Sequence, residues 1–213
     1  MGAEIKLSHD HSPQAIKERI EGDKEQSYVG DFLLGAIDGL VTTFALVAGV
    51  AGAGLGKSVA IILGLANLFA DGFSMAASNY QKVKADAEFV DRARRVEEQH
   101  IDVVPEGEME EIRQIYKAKG FEGDILEEIV NVITSNRKRW VDTMLTEELG
   151  LRLDVPSPIK SALVTFWSFV MIGLIPLIPY FVPQVLSKTQ TFAISAGATA
   201  VAFYIVGSIK GIW

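Results

Sequence analysis

Apolar residues are concentrated in four long segments of the 213-residue chain. These segments lie at about residues 32–56, 58–80, 160–182 and 189–209. A helix needs roughly 20 apolar residues to cross the hydrocarbon core of a bilayer, so each segment is long enough. The third segment, from Ser161 onward, and the fourth segment contain no charged residue, whereas the first two each contain one carboxylate. The pattern predicts an all-α, polytopic membrane helix bundle with at least four transmembrane spans.

The helical pattern of the second segment continues beyond its apolar residues into a polar region. It runs through residues 81–101, and Pro105 then ends that helix and starts the next, since proline is tolerated in a first turn. A turn at residues 120–124, with Asp124 as the N-cap, precedes one further helix or two shorter ones. This region is therefore predicted to be a small helical domain inserted between the second and third spans.

These boundaries divide the chain into four parts. Residues 13–28 are predicted to form a short amphipathic helix on the membrane surface, with a solvated tail as the alternative. The parts are an N-terminal segment at 1–29, spans one and two at 30–80, the inserted domain at 81–158, and spans three and four at 159–213.

The charge distribution excludes some classes of function. The formal net charge is −7, and residues 81–158 contain 18 Asp and Glu against 12 Lys and Arg. A nucleic-acid partner is not expected, because binding phosphates requires clustered positive charge. The chain contains no cysteine, which excludes disulfides and thiolate metal ligands.

The placement of Lys and Arg predicts the orientation in the membrane, because cytoplasmic loops carry an excess of both. The inserted domain has 12 of them, whereas the other two turns have one each, Lys57 and Lys188. We therefore expect the N-terminus, the inserted domain and Lys210 to be cytoplasmic. No secretory signal peptide is visible, and the absence of a targeting extension favours a prokaryotic plasma membrane over a vacuole-type organelle.

Polar residues inside the first two spans are the main candidates for function. Asp38 and Asp71 are carboxylates in the bilayer, which cost at least ~2.5 kcal/mol at its centre and usually mark a site rather than a structural contact. Asn67, Asp71, Met75 and Asn79 are spaced by four and follow one stripe of a helix. A thioether beside oxygen ligands suits Fe²⁺ better than Ca²⁺ or Mg²⁺. Competition between metal and proton for such a carboxylate would provide an antiport mechanism.

The inserted domain contains further pairs of candidate ligands at helical spacing. The pairs are Glu97 with His100, Glu108 with Glu111, and Met144 with Glu148. Each pair can present two donors from one helix face, although acidic helix faces are equally often solvated surface.

Several motifs together resemble the vacuolar iron transporter family. They are "DFLLGAIDGLVTTFALVAGVAGA", "NLFADGFSMAASNY", "MLTEELGL" and "GLIPLIPYF", in the order in which the family has them. The resemblance runs from about residue 30 to the end of the chain. It implies a homodimeric transporter that moves Fe²⁺, and often Mn²⁺, out of the cytosol in exchange for protons.

The resemblance also implies roles for individual residues. The membrane aspartate and methionine of the family match Asp38 and Met75, and the ligands of its cytoplasmic domain match Glu97, Glu108, Glu111, Met144 and Glu148. The chain departs from the family at Asn67, where plant-type members have a glutamate that Asp71 is expected to replace, and at His100, where they have another glutamate. It also ends after four spans where the family has five, so we expect truncation before a fifth helix.

Two other interpretations remain at this stage. A membrane-anchored iron buffer or sensor would bind metal in the domain without transport, although an anchor has no need of Asp38 and Asp71. An enzyme such as a di-iron oxidase would require paired Glu-x-x-His motifs, and only Glu97 with His100 fits that pattern. The leading prediction is therefore a proton-coupled metal transporter and not an enzyme, with Fe²⁺ unranked against Mn²⁺, Co²⁺ or Zn²⁺.

Overall fold

The regular structure of the protein is helical throughout the described part of the chain. A computed structural model describes residues 10–21, 27–182 and 186–209. The helices are α1 (Pro13–Glu21), α2 (Val29–Gly52), α3 (Lys57–Val103), α4 (Pro105–Ala118), α5 (Gly123–Thr134), α6 (Arg137–Thr143), α7 (Pro158–Gly173), α8 (Ile178–Phe181) and α9 (Lys188–Ile209). The all-α prediction is thus confirmed. The amphipathic helix expected at 13–28 is shorter than predicted, and residues 22–26 lie outside the described residues.

Four helical segments are long and apolar enough to cross a membrane, as predicted. They are Val29–Gly52, the first part of Lys57–Val103, Pro158–Phe181 and Lys188–Ser208. The third is not one continuous α-helix, because a 3₁₀ turn at Ile175–Leu177 separates α7 from α8. Pro176 and Pro179 lack the backbone N–H that a regular helix needs at this point.

Close contact between α2 and α7 forms the centre of the membrane bundle. A Cβ atom at Gly35 would overlap the backbone oxygen of Thr165, and one at Gly39 would overlap that of Phe169. Glycine therefore allows the two backbones to touch, as expected for a small-xxx-small pair. Phe169, Leu68 and Leu177 are buried and fill the adjacent space between α3, α7 and the 3₁₀ turn.

The long helix α3 connects the membrane bundle to the extramembrane helices. Its 47 residues extend about 70 Å at 1.5 Å per residue, more than twice the roughly 30 Å hydrocarbon core. Its first half packs against α7, and its charged second half, from Gln81 onward, projects beyond the apolar segment. The prediction that one helix continues from the second apolar segment into the polar region is confirmed. Pro105 occupies the first turn of α4, also as predicted.

The extramembrane helices enclose a separate apolar core. Ile112, Val130, Trp140 and Leu145 pack around Ile101 near the end of α3. The region after the turn contains two helices, α5 and α6, and one turn of π-helix at Met144–Glu148.

The prediction of Asp124 as an N-cap is wrong. Helix α5 begins at Gly123, and Glu122, two residues before Asp124, occupies the capping position without a side-chain hydrogen bond. Gly123 has φ +62°, a conformation that favours glycine and lets the chain turn sharply into the helix.

Candidate metal centres

Three of the predicted ligands in the inserted region meet at the junction of α3 and α4. Glu97 and His100 lie in the last two turns of α3, and Glu108 lies in the first turn of α4. The chain reverses at Val104 and Pro105, which brings Glu108 back over its neighbours. One ligand atom from each of the three side chains lies within 4.8 Å of the other two. The Nδ1 atom of His100 is 3.4 Å from Oε1 of Glu108.

This cluster holds acidic groups in an environment that opposes their charge. The exposed fraction of Glu97 is 5%, and that of Glu108 is 3%. Burial, followed by the negative charges of Glu111 and Glu97, raises the pKa of Glu108 to about 7. Burial also raises the pKa of Glu97, although nearby His100 opposes this. The other oxygen of Glu108, Oε2, is buried without a hydrogen-bond partner among the described residues. A divalent cation fits here, because it would supply the missing positive charge.

Glu111 and Glu148 extend the same acidic site. Both side chains are exposed, and Glu111 is the largest electrostatic influence on the carboxylates of Glu108 and Glu148. Although the side chain of Glu148 is exposed, neighbouring protein atoms remove part of the solvation of its carboxylate, and this effect together with the charges of Glu111 and Glu97 raises its pKa. Glu148 reaches the site from the π-helical turn at Met144–Glu148, a feature that is frequent at functional sites. Four carboxylates and one imidazole are therefore electrostatically coupled.

Met144 begins the π-helical turn but lies in the apolar core of the extramembrane helices. Its side chain is fully buried and belongs to the same cluster as Ile101 and Ile112. Its packing explains its presence without a ligand role, and that role stays a prediction.

Of the predicted residues of the membrane path, Asn67, Asp71 and Met75 flank the buried face of α3, and Asp38 lies on α2. Asp38 and Asp71 are half-buried, and Asp71 is close enough to act electrostatically on Asp38. The Nδ2 atom of Asn67 is buried and has no hydrogen-bond partner in the described part of the chain. Met75 is partly buried against the core formed by α2, α3 and α7. The structure thus brings the two intramembrane carboxylates to one region between α2 and α3.

Asn79, the fourth member of the stripe, joins three helices. Its Nδ2 atom donates hydrogen bonds to Oδ1 of Asp31 on α2 and to Oγ1 of Thr165 on α7, both at 2.8 Å. It also contacts the backbone oxygen of Ser161 at 3.4 Å. Each step of four residues shifts the side chain by about 40° around the helix axis. After three such steps from Asn67, Asn79 therefore lies on the buried face of α3 and not on its flank. Sequence reasoning missed Asp31 and Thr165, because their neighbours in sequence give no sign of this contact.

Comparison with known proteins agrees with these features. The sequence profile described as the VIT family matches residues 29–213. The chain belongs to the VIT family. The resemblance stated from the motifs is therefore confirmed.

Three relatives indicate how far the likeness of this VIT-family chain extends. Vacuolar iron transporter 1 of Oryza sativa subsp. japonica is 34% identical over 211 residues, which covers 98% of this chain and 81% of the rice protein. The vacuolar iron transporter of Centaurea cyanus is 35% identical over 186 residues, 86% of this chain and 74% of that protein. The vacuolar iron transporter of Toxoplasma gondii is 40% identical over 153 residues, 70% of this chain. The matched region spans about half, 51%, of the Toxoplasma protein.

Proposed function

We propose that this VIT-family chain carries Fe²⁺ out of the cytosol across a membrane in exchange for protons. The observation that carries the proposal is the pair of intramembrane carboxylates, Asp38 and Asp71, within electrostatic range of each other. Such groups are costly in a bilayer and typically mark an ion pathway. The names of the relatives, which are vacuolar iron transporters, support iron as the substrate.

In this proposal, the metal is first collected by the extramembrane site. Glu97, His100 and Glu108 bind Fe²⁺ as hard and borderline ligands, and Glu111 and Glu148 add negative charge. Met144 would have to move from the apolar core to reach the ion. The inserted domain, the N-terminus and Lys210 face the cytosol in this proposal, following the excess of Lys and Arg.

Proton coupling follows from competition at the membrane carboxylates. Asp38 holds either the metal or a proton, with Met75 as a soft ligand and Asn67 and Asp71 as further oxygen ligands. Protonation from the acidic side weakens metal binding and releases the ion. We further propose a homodimer with the path between its subunits, because Asp38 and Asp71 are only half-buried within one chain.

Transport into sealed proteoliposomes tests this proposal. With an acidic lumen, the full chain should accumulate Fe²⁺, and Asp38→Ala should abolish gradient-dependent uptake. Asp124→Asn removes a carboxylate far from the spans and should transport normally. Accumulation without a pH gradient would rule out antiport. If uptake were absent and the extramembrane site still bound metal, the protein would be a membrane-anchored buffer.

Metal binding by the extramembrane site provides a separate measurement. Glu108→Gln should weaken Fe²⁺ binding by about tenfold or more, because a buried charged ligand is lost. Glu106→Gln, an exposed glutamate in the same first turn of α4, is the matched control and should bind normally. Equal losses in both variants would mean that net charge, not the site, attracts the metal. Competition with Mn²⁺, Co²⁺ and Zn²⁺ in the same titration ranks the metals.

A further inference from the structure

A cavity of about 710 Å³ lies at the level where the helices leave the membrane. Its walls include Gly30 and Asp31 in the first turn of α2, and Ser161 in the first turn of α7. Lys82 and Asp86, among the first charged residues after the apolar part of α3, form another wall. The volume falls within the roughly 300–1,000 Å³ that is typical of small-molecule sites. The cavity therefore opens beside the headgroup layer of the bilayer.

The charged side chains that line this cavity form no ion pair with one another or with any other described residue. Elsewhere in the extramembrane region, Arg137 pairs with Asp102 and Arg113 pairs with Glu127. In the cavity, Lys82 and Arg152 form no ion pair with a carboxylate of the described residues.

The acidic side chains of the cavity likewise have no cationic partner among the residues that the structure describes. Asp86 and Asp154 form no ion pair among the described residues, and Oδ1 of Asp31 is held by the uncharged amide of Asn79. Phe89 and Leu151 add an apolar part of the wall. The cavity therefore offers two unpaired cationic groups, several carboxylates and an apolar surface to one ligand.

We propose that this cavity binds the headgroup of a zwitterionic glycerophospholipid that carries a primary ammonium, which is the chemistry of phosphatidylethanolamine. Lys82 and Arg152 bind the phosphate through charge-assisted hydrogen bonds, and Asp86 and Asp154 accept hydrogen bonds from the ammonium. A choline headgroup has no N–H to donate. A purely anionic headgroup would meet the carboxylates, and a divalent cation would meet Lys82 and Arg152. The inference extends beyond metal transport and does not depend on which ion is carried.

Lipid retention by the purified full chain in detergent tests the proposal. Phosphatidylethanolamine, phosphatidylcholine and phosphatidylglycerol with identical acyl chains would be added separately, and retained lipid counted by native mass spectrometry. We expect phosphatidylethanolamine to be retained about tenfold more strongly than either of the others. Equal retention of phosphatidylcholine would overturn the proposal. Stronger retention of phosphatidylglycerol would also overturn it, because it would indicate a basic surface patch.

Variants identify the side chains that hold the lipid. Combining Lys82→Ala with Arg152→Ala should lower retention of phosphatidylethanolamine by about tenfold. Lys84→Ala is the matched control, because Lys84 lies half a turn from Lys82, pairs with Glu88 and does not line the cavity. An equal loss in this control would refute a specific site.

A second pair of substitutions tests the contacts with the ammonium group, and a competitor distinguishes a lipid headgroup from a soluble anion as the ligand. Asp86→Asn with Asp154→Asn should remove the preference for ethanolamine over choline while leaving phosphate contacts intact. An unchanged preference would contradict the assigned role of these carboxylates. Millimolar inorganic phosphate should not displace the lipid, and displacement would mean that the cavity binds soluble anions instead. Thermal unfolding of each variant confirms that it is folded, and none of these readouts requires transport.

Discussion

The helices inside the membrane and those outside it are held together by different contacts. Where α2 crosses α7, glycine brings one backbone against another, and small hydroxyl residues such as Thr165 and Ser168 occupy the buried positions. In the extramembrane part, large side chains such as Ile112 and Trp140 form the core, and ion pairs such as Arg137 with Asp102 surround it. Lipid is as apolar as leucine, so burial of leucine cannot drive helix association within it. Water provides that driving force outside.

The largest effect is expected from filling the glycine contact. Gly39→Leu would place a side chain where the carbonyl of Phe169 lies, and backbone cannot move aside as a side chain can. We expect a loss of more than about 5 kcal/mol, enough to prevent folding of the bundle. Gly49→Ala is the control, because nothing lies within 4 Å of a Cβ there. Both variants would be compared by their monodispersity and thermal unfolding in detergent. A stable Gly39→Leu bundle would disprove the close contact between α2 and α7.

A cavity in the extramembrane core should have a smaller and more local effect. Ile112 is fully buried, and Ile112→Ala is expected to cost about 3 kcal/mol. Ile125→Ala removes the same atoms from a side chain that is 62% exposed and should change stability by less than about 0.5 kcal/mol. Hydrogen exchange of the full chain should show faster opening of α4–α6 only. Equal acceleration in the spans would mean that the two regions unfold as one unit.

The buried carboxylate Glu108 makes the stability of the metal-free extramembrane region depend on pH. Its pKa rises from 4.5 to about 7 on folding, so the folded state retains a proton that the unfolded state releases. The contribution of Glu108 to stability is therefore fully present below pH 4.5 and is lost as the pH rises from 4.5 through 7, by up to about 1.4 kcal/mol per pH unit. Glu108→Gln cannot ionise and should flatten this profile in denaturant titrations. Glu106→Gln, which changes an exposed carboxylate, should leave the profile unchanged. An identical slope in the unsubstituted chain and both variants would contradict the burial of the Glu108 carboxylate.

Loss of the polar junction at the membrane boundary should have the smallest effect. Asn79→Leu removes hydrogen bonds to Asp31 and Thr165, and each such bond between membrane helices contributes about 1 kcal/mol or less. Thr165→Val removes only part of the junction and should cost less than Asn79→Leu. Thermal unfolding in detergent ranks the two variants. The reverse order would show that Thr165, not Asn79, is the centre of the contact.

Much of this architecture could be predicted from patterns within single helices. The four spans, the long helix that leaves the membrane and the helix start at Pro105 depend on local hydrophobicity and backbone chemistry. The prediction of Asp124 as an N-cap was wrong because the helix already begins at Gly123, which has a positive φ, and Glu122 occupies the capping position. Periodicity correctly placed Glu97 and His100 on one face of α3. It did not predict that Glu108 would lie beside them.

What the sequence alone determined is which side chains share a helix face and which helices can exist in lipid. The tertiary structure decided which faces meet, since that depends on contacts between residues far apart in the chain. Asn79 forms hydrogen bonds with Asp31 and Thr165, which are 48 and 86 positions away in the sequence. No local pattern in the sequence predicts either contact. The acidic site and the cavity at the membrane boundary arise in the same way. Both are formed where separate helices and loops pack together, so their chemistry exists only in the folded chain.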